Sequence, residues 1–138
     1  MTVLVAYDGS LPAQQAVEHA VREHADEELI LLRVIEASGG SLEAGIDLFK
    51  EELKKARDET VTELDEELTD LINEEDIEFQ IEVTVGQPAR KIVEFAEANG
   101  VDHIIIGSHG RKGVSRILLG SVAELVVRRA HCTVTVVR

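Results

Sequence analysis

Five short apolar segments alternate along the chain with longer segments whose apolar residues recur every three to four positions. The short segments are rich in valine, leucine and isoleucine, and they predict strands at residues 2–7, 28–35, 78–85, 104–106 and 132–137. The longer segments predict a helix after each of the first four strands. Because strands that alternate with helices form a parallel sheet covered on both faces, the pattern predicts an open five-stranded α/β fold.

The polar positions refine this picture for two segments. Residues 78–85 alternate apolar and polar side chains, which is typical of a strand with one less buried face, as at a sheet edge. Residues 42–75 form the longest predicted helix. Its apolar stripe is predicted to consist of Ile46, Phe49, Leu53, Ala56, Val61, Leu64, Leu68 and Leu71. The other faces of this helix are rich in Glu and Asp, which we interpret as a solvated outer surface rather than a metal site.

A glycine-rich loop joins the fourth strand to the last helix. The strand ends at Gly107, Gly110 follows, and nine residues separate Gly110 from Gly120 and Ser121, where a helical run begins. Glycine lets the backbone turn sharply and approach a ligand closely. The first N–H groups of a helix are unpaired and carry partial positive charge, which suits a phosphate. The order of strand, glycine loop, Gly-Ser and helix therefore predicts a phosphate-binding turn.

This spacing, Gly107-x2-Gly110-x9-Gly120-Ser121, resembles the ATP-binding signature of the universal stress protein family. The length of the chain and the order of its elements are also similar to that family. The resemblance implies a single domain over residues 1–138, with a Rossmann-like parallel sheet in the strand order 3-2-1-4-5. In that order the first and fourth strands are neighbours where the strand order reverses, and open α/β sheets bind ligands at that point.

The resemblance also implies which residues contact ATP or another adenine nucleotide. Asp8 is expected at the adenine end of the ligand, and Val34 in the adenine pocket. The expected nucleotide contacts are Ala6, Tyr7, Asp8, Val34, Ile106, Gly107, Gly110, Arg111, Gly120, Ser121 and Val122. Two alternatives stay open, since Asp8 could instead shape the turn before the first helix and Val34 could be an ordinary core residue.

The implied function is a non-catalytic, nucleotide-binding module in a stress response or in signalling, with ATP as its ligand, with or without magnesium. An ATP-hydrolysing enzyme with slow turnover is the alternative. The chain lacks the GxxxxGK[ST] loop of P-loop enzymes, and residues 38–41 resemble a pyrophosphatase loop only superficially. A phospho-acceptor or flavin domain is disfavoured, because Asp8 stands without acidic neighbours and aromatic residues are few.

Two histidines lie close to the fourth strand in the sequence. His103 precedes the strand, at the end away from the glycine loop, and we interpret it as structural. His109 lies inside the loop, and a single His without a paired acid or nucleophile is weak evidence of catalysis.

The charge of the glycine loop differs from that of the rest of the chain. The whole chain carries a net charge of −13, which argues against nucleic acid as a partner. Residues 107–129 nevertheless hold five basic residues against one acidic residue. Arg111, Lys112 and Arg116 could attract an anion to the loop, whereas Arg128 and Arg129 also suit a helix C-terminus. The overall acid excess resembles that of proteins from a salt-rich cytoplasm.

The cysteine count and the last strand bear on compartment and assembly. Cys132 is the single cysteine, which fits a reducing cytoplasm. No apolar run reaches the ~20 residues that cross a bilayer, and residues 1–6 lack the basic start of a signal peptide. The strand at 132–137 would form a sheet edge without charge or proline, and the family resemblance implies a homodimer through that edge.

Overall fold

The computed structural model describes residues 1–36, 46–75, 77–108 and 119–138, with the backbone alone described at residues 46–49, 65 and 67–75. Within these ranges the chain alternates strand and helix as the sequence predicts. The elements are β1 Thr2–Ala6, α1 Leu11–Glu23, β2 Glu28–Ile35, α2 Ile46–Glu75, β3 Phe79–Val85, α3 Pro88–Ala98, β4 His103–Gly107, α4 Ser121–Arg129 and β5 Thr133–Val137. The predicted start of the long helix at residues 42–45 lies outside the described residues.

The five strands form one parallel sheet in the order β3-β2-β1-β4-β5, so the predicted fold class and strand order are confirmed. The register places Val5 of β1 between Leu31 of β2 and Ile105 of β4. The strand order reverses between β1 and β4. Their carboxyl ends are therefore neighbours, which brings the sequence around Asp8 close to that around Gly107.

Two hydrophobic clusters, one on each face of the sheet, hold the helices in place. On one face Val3 and Val5 pack with the buried residues of α1 and with Leu64 of α2. On the other face Leu4 and Ala6 pack with the buried residues of α3 and α4. Because successive side chains of a strand point to opposite faces, a central strand buried on both faces needs a continuous apolar run. The run of isoleucines in β4 meets that need.

On the part of α2 whose side chains are described, the helix differs from its predicted apolar stripe at Val61, while the side chains of Ile46, Phe49, Leu68 and Leu71 lie outside the described part. The buried side chains on its described part are Ala56, Thr60 and Leu64, spaced four residues apart, whereas Val61 is 37% exposed. Thr60 is fully buried because its hydroxyl donates a hydrogen bond to the carbonyl of Ala56, 2.8 Å away. The prediction of Val61 as a core residue was wrong, because the stripe was assigned from apolar residues alone and the buried face passes through Thr60 instead.

The turns before α1 and α3 supply the capping groups that start these helices. The Ser10 hydroxyl accepts a hydrogen bond from the Ala13 N–H, and the Gln87 side chain accepts one from the Arg90 N–H. Pro12 and Pro88 stand in the first turns, where a missing N–H costs no hydrogen bond. None of the described helices is long and apolar enough to cross a membrane.

Candidate functional site

A crevice of about 720 Å³ opens at the carboxyl ends of β1, β2 and β4, between these strand ends and the first turns of α3 and α4. Its lining consists of Ala6, Tyr7, Asp8, Ser10, Ala13, Leu32, Arg33, Val34, Ile35, Glu36, Pro88, Ile92, Ile106, Gly107, Leu119, Gly120, Ser121, Val122, Ala123 and Glu124. The crevice lies where the strand order reverses, the position at which open α/β sheets bind ligands. A volume of this size is within the range of small-molecule sites.

The turn between β1 and α1 forms one wall of the crevice. One carboxylate oxygen of Asp8 accepts a hydrogen bond from the Ser10 N–H at 2.9 Å. Gly9 has a φ of 80°, a left-handed conformation that glycine adopts without steric cost. Asp8 therefore shapes this turn, as one of the two interpretations of the sequence holds, and it also lines the crevice.

The two ends of the glycine loop meet beside the crevice. The Ser108 N–H donates to the Val137 carbonyl at 2.8 Å, and the Gly120 N–H donates to the Ser108 carbonyl. The chain thus leaves β4 and returns next to the same strand end before α4 begins. Residues 109–118 lie outside the described part of the chain, so the expected contacts Gly110 and Arg111 have no structural description.

Gly107 is small because the start of α1 packs directly on it. A Cβ atom built on Gly107 would lie 2.7 Å from the backbone carbonyl carbon of Pro12. Real Cβ atoms essentially never approach backbone atoms so closely, so a larger residue would push α1 away from β4. The sequence predicted Gly107 for close approach to a ligand, and the structure adds close approach to α1.

The N-terminus of α4 lies at the crevice, which its first residues line. The helix begins after Gly120, and among the described residues no side chain caps it. The first hydrogen bond of the helix joins the Glu124 N–H to the Gly120 carbonyl. The N–H groups of the preceding helical residues consequently have no partner within the helix. Ser121 is exposed at this end, so its hydroxyl is accessible from the crevice.

A polar cluster lies where α2 meets the carboxyl end of β2. The Arg33 guanidinium donates to the Thr60 hydroxyl at 3.0 Å and pairs with the Glu63 carboxylate at 3.3 Å. The Tyr7 hydroxyl donates to the same carboxylate oxygen of Glu63 at 3.1 Å. The guanidinium carbon of Arg33 is also 6.0 Å from the centre of the Tyr7 ring, within cation–π range.

The structure brings nine of the eleven residues predicted from the sequence to this one crevice. They are Ala6, Tyr7, Asp8, Val34, Ile106, Gly107, Gly120, Ser121 and Val122. That a ligand contacts them stays a prediction. Val34 also packs on the hydrophobic cluster of α3 and α4, so both interpretations of that residue agree with its position.

Sequence reasoning missed several lining residues, and the polar ones are Ser10, Arg33, Glu36 and Glu124. Arg33 lies near the carboxyl end of β2, and Glu36 follows Ile35, the last residue of that strand. The rule that ligands bind at the carboxyl ends of parallel strands could have selected them along with Val34. Glu124 was missed because its contact with the crevice depends on the orientation of α4.

The opposite, amino-terminal edge of the sheet carries a cluster of histidines. Nε2 of His103 lies 2.6 Å from the Thr135 hydroxyl, and the His103 and His24 rings are 4.9 Å apart at their centres. Nδ1 of His24 lies 2.8 Å from the Glu27 carboxylate. Burial, together with the nearby His24, holds the pKa of His103 below its usual value. The predicted position of His103, away from the crevice, is confirmed.

Comparisons with known proteins agree with this geometry. The family model described as "Universal stress protein family" matches residues 1–138. Universal stress protein MJ0531 of Methanocaldococcus jannaschii is 35% identical over 141 residues, which cover 99% of this chain and 81% of that protein.

Two solved structures share the fold over almost their whole length. The universal stress protein UspA from Lactobacillus plantarum is 25% identical with a TM-score of 0.82, and the match covers 100% of this chain and 97% of that one. A universal stress protein solved in complex with cAMP is also 25% identical, with a TM-score of 0.70 and the same coverage.

Proposed function

The chain belongs to the universal stress protein family, and we propose that it is a module that binds an adenine nucleotide, with ATP as the ligand, in the crevice at the carboxyl edge of its sheet. The observation that carries the proposal is the convergence of the β1 end, the β4 end and the uncapped start of α4 on one cavity. The structural neighbour in complex with cAMP supports an adenine nucleotide as the class of ligand.

The lining of the crevice suggests how the nucleotide would lie. Val34, Pro88 and Ile92 offer apolar surface to the adenine ring, with the Asp8 carboxylate nearby. The phosphates would lie toward Gly107, Gly120, Ser121 and Val122, where the helix start favours negative charge. In this proposal Gly110 and Arg111 complete the phosphate contacts.

We propose that the protein functions by binding ATP and not by hydrolysing it. Two carboxylates of the described lining have contacts within the protein: Asp8 accepts from the Ser10 N–H, and Glu124 pairs with Arg128 at 2.8 Å. These contacts support structural roles for Asp8 and Glu124. A hydrolysis assay with ATP and magnesium tests this part, and sustained phosphate release by purified protein would contradict it.

The direct test of the ligand has two parts. Purified protein is denatured and the supernatant is analysed by mass spectrometry, which identifies any nucleotide that co-purified. The nucleotide-free protein is then titrated with ATP, ADP, AMP and cAMP by calorimetry, with and without magnesium. Dissociation constants in the micromolar range support the proposal, whereas affinities weaker than millimolar for all four nucleotides would contradict it.

We further propose a homodimer through the edge strand β5, in the cytoplasm and without nucleic acid. The two edges of the sheet differ: β3 carries Gln80 and Glu82, which discourage pairing, whereas β5 carries valines. The Val137 carbonyl accepts from Ser108 within the sheet. Because alternate residues of a parallel strand direct their backbone groups to opposite sides, the Val136 N–H faces the open edge.

Light scattering on matched variants tests the dimer. Val136→Pro removes an N–H that faces the open edge and should produce a monomer of 15.1 kDa. Val136→Thr keeps the N–H and the branched side chain, so it should remain dimeric. A wild-type protein that runs as a monomer at micromolar concentration would defeat this proposal.

A further inference from the structure

The polar cluster formed by Tyr7, Arg33, Thr60 and Glu63, here called the Arg33 cluster, joins the long helix α2 to the crevice wall. Arg33 lies near the end of β2, and Tyr7 immediately follows β1. Both contribute to the crevice lining. Thr60 and Glu63 lie near the middle of α2, on its inward side. The cluster thus consists of two residues from the site and two from the helix.

Most of the Arg33 cluster is buried, and Glu63 is its most exposed member. The Arg33 side chain is 12% exposed and that of Glu63 is 34% exposed, while Thr60 is fully buried. If Glu63 lost its charge, the largely buried Arg33 guanidinium would remain without its ionic partner, which is unfavourable. The other buried residues on the described part of α2 are Ala56 and Leu64, so this cluster contributes to the docking of that part of the helix.

The cluster is connected directly to the residues proposed to contact the nucleotide. The Tyr7 N–H donates to the Leu32 carbonyl at 3.0 Å, which fixes the backbone just before Asp8. The hydroxyl at the end of the Tyr7 side chain donates a hydrogen bond to Glu63 of α2. Arg33 immediately precedes Val34 in β2. A shift of α2 would therefore move the side chains that hold both Asp8 and Val34.

We propose that the Arg33 cluster positions the nucleotide crevice and couples it energetically to α2, so that a bound nucleotide tightens the docking of this helix. This inference rests on the proposed function. Arg33 and Glu63 act here as positioning residues, since they hold Tyr7 and the end of β2. Because coupling between two sites is reciprocal, loosening α2 must weaken nucleotide binding by the same factor by which the nucleotide tightens α2. The docking of α2 would therefore differ between the nucleotide-free and the nucleotide-bound protein.

Hydrogen exchange and calorimetry on four proteins test the coupling. ATP with magnesium is added to the wild type, to Glu63→Gln, to Glu59→Gln and to the double variant Arg33→Met/Glu63→Leu. Glu59 is the matched control, because it is an exposed glutamate one turn earlier on the same helix. The double variant replaces the ion pair by apolar side chains of similar size, which keeps a buried interface stable without the charges.

The coupling predicts a specific set of results. ATP should slow amide exchange in residues 50–64 of the wild type and of Glu59→Gln. Glu63→Gln should bind ATP about fivefold or more weakly, which is the lower limit of typical coupling between sites. The double variant should keep its melting temperature and yet lose the ATP-dependent protection of α2.

The outcomes separate this inference from the proposed function. If the wild type and Glu63→Gln bind ATP equally well, and α2 exchanges at the same rate with and without ATP, the coupling is overturned and nucleotide binding stands. If the double variant retains full ATP-dependent protection of α2, apolar docking carries the effect and the role of the Arg33 cluster is overturned. If the wild type binds no nucleotide in calorimetry, both the proposed function and this inference are wrong.

Discussion

The two edges of the parallel sheet are built from different kinds of contact. At the amino edge, side chains and backbone groups pair with one another: the Thr2 N–H donates to the Asp102 carboxylate at 2.9 Å, and His103 lies beside Thr135 and His24. At the carboxyl edge, β1 ends in a tight turn at Gly9, and the ends of β1, β2 and β4 line an open cavity of about 720 Å³.

This difference shows which edge can accept a ligand. Polar groups at the amino edge are satisfied by neighbours in the chain, so a ligand would have to displace existing contacts. At the carboxyl edge the first N–H groups of α4 have no partner within the helix, and they need an acceptor from water or from a ligand. The comparison predicts that substitutions at the amino edge change stability, whereas substitutions at the carboxyl edge also change nucleotide binding.

The largest effect on the free energy of unfolding is expected at Gly107, where the start of α1 packs directly on the carboxyl edge. Gly107→Ala would place a Cβ 2.7 Å from backbone atoms of Pro12, so we expect a loss of about 3 kcal/mol in the free energy of unfolding. Gly100→Ala, before β4 at the amino edge, is the matched control. Gly100 has open space around it but a φ of 62°, so this substitution should cost only about 1–2 kcal/mol. Denaturant unfolding of both variants measures the difference, and an equal or reversed cost would contradict the close packing of α1 on β4.

The second largest effect should be on ATP binding and not on folding, and Gly120→Val tests it. Gly120 has φ −71° and ψ 165°, an extended conformation that valine also adopts, so Gly120→Val should fold. Its side chain would nevertheless stand at the start of α4 and block the approach of phosphate to the N–H groups. We expect ATP affinity to fall roughly hundredfold, or about 2.7 kcal/mol, in calorimetry. Unchanged affinity in a variant with a normal melting temperature would exclude phosphate from this position.

Ser121→Ala tests a single hydrogen bond at the same helix start. The Ser121 hydroxyl is exposed and lines the crevice, so its removal leaves no buried group unsatisfied. If it donates to a phosphate oxygen, ATP affinity should fall by roughly 1.5 kcal/mol, near the lower limit for a hydrogen bond to a charged group. Calorimetry measures the affinity, and thermal unfolding should show no change. A loss as large as that of Gly120→Val would mean that the hydroxyl, and not the helix backbone, dominates binding.

The smallest effect is expected at the amino edge, in the dependence of protein stability on pH. Burial, together with the nearby His24, lowers the pKa of His103 in the folded protein, while Glu27 opposes the shift and His19 adds to it. The unfolded chain then binds protons more readily, so stability is complete above about pH 6.5 and declines as the pH falls below that value. Melting temperatures between pH 5 and 8 should show this decline, and His103→Gln should reduce it, whereas exposed His131→Gln should not. A pH dependence of ATP affinity that disappears in His103→Gln would contradict the distinction between the two edges.

The sequence predicted the parts of this molecule that depend on local patterns. The alternation of strand and helix follows from short segments read in order. The strand order, and with it the meeting of Asp8 with Gly107, was expected from the family resemblance, and the structure confirms both. The loop spacing between Gly107 and Gly120 likewise selected two positions that the fold brings together, since the Gly120 N–H bonds the Ser108 carbonyl at the strand end.

The parts that the sequence did not predict depend on contacts between distant segments. Arg33 and Glu63 are separated by 30 positions, and neither has a local pattern that marks it as part of a pair. Thr60 is absent from the predicted apolar stripe of α2, because that stripe was assigned from apolar residues alone. Its burial is tolerated because its hydroxyl bonds Ala56 and Arg33, which only the packed structure reveals.

The most direct test of the account is a map of ATP-induced changes in the backbone amide signals of isotope-labelled protein by nuclear magnetic resonance. The account predicts that the largest changes occur at Tyr7, Asp8, Val34, Gly107 and residues 120–122 at the carboxyl edge, together with Gly110 and Arg111. The amides of His24 and His103, at the amino edge, should stay unchanged. Saturable changes centred on the amino edge, or none at millimolar ATP, would contradict the assignment of the crevice as the nucleotide site.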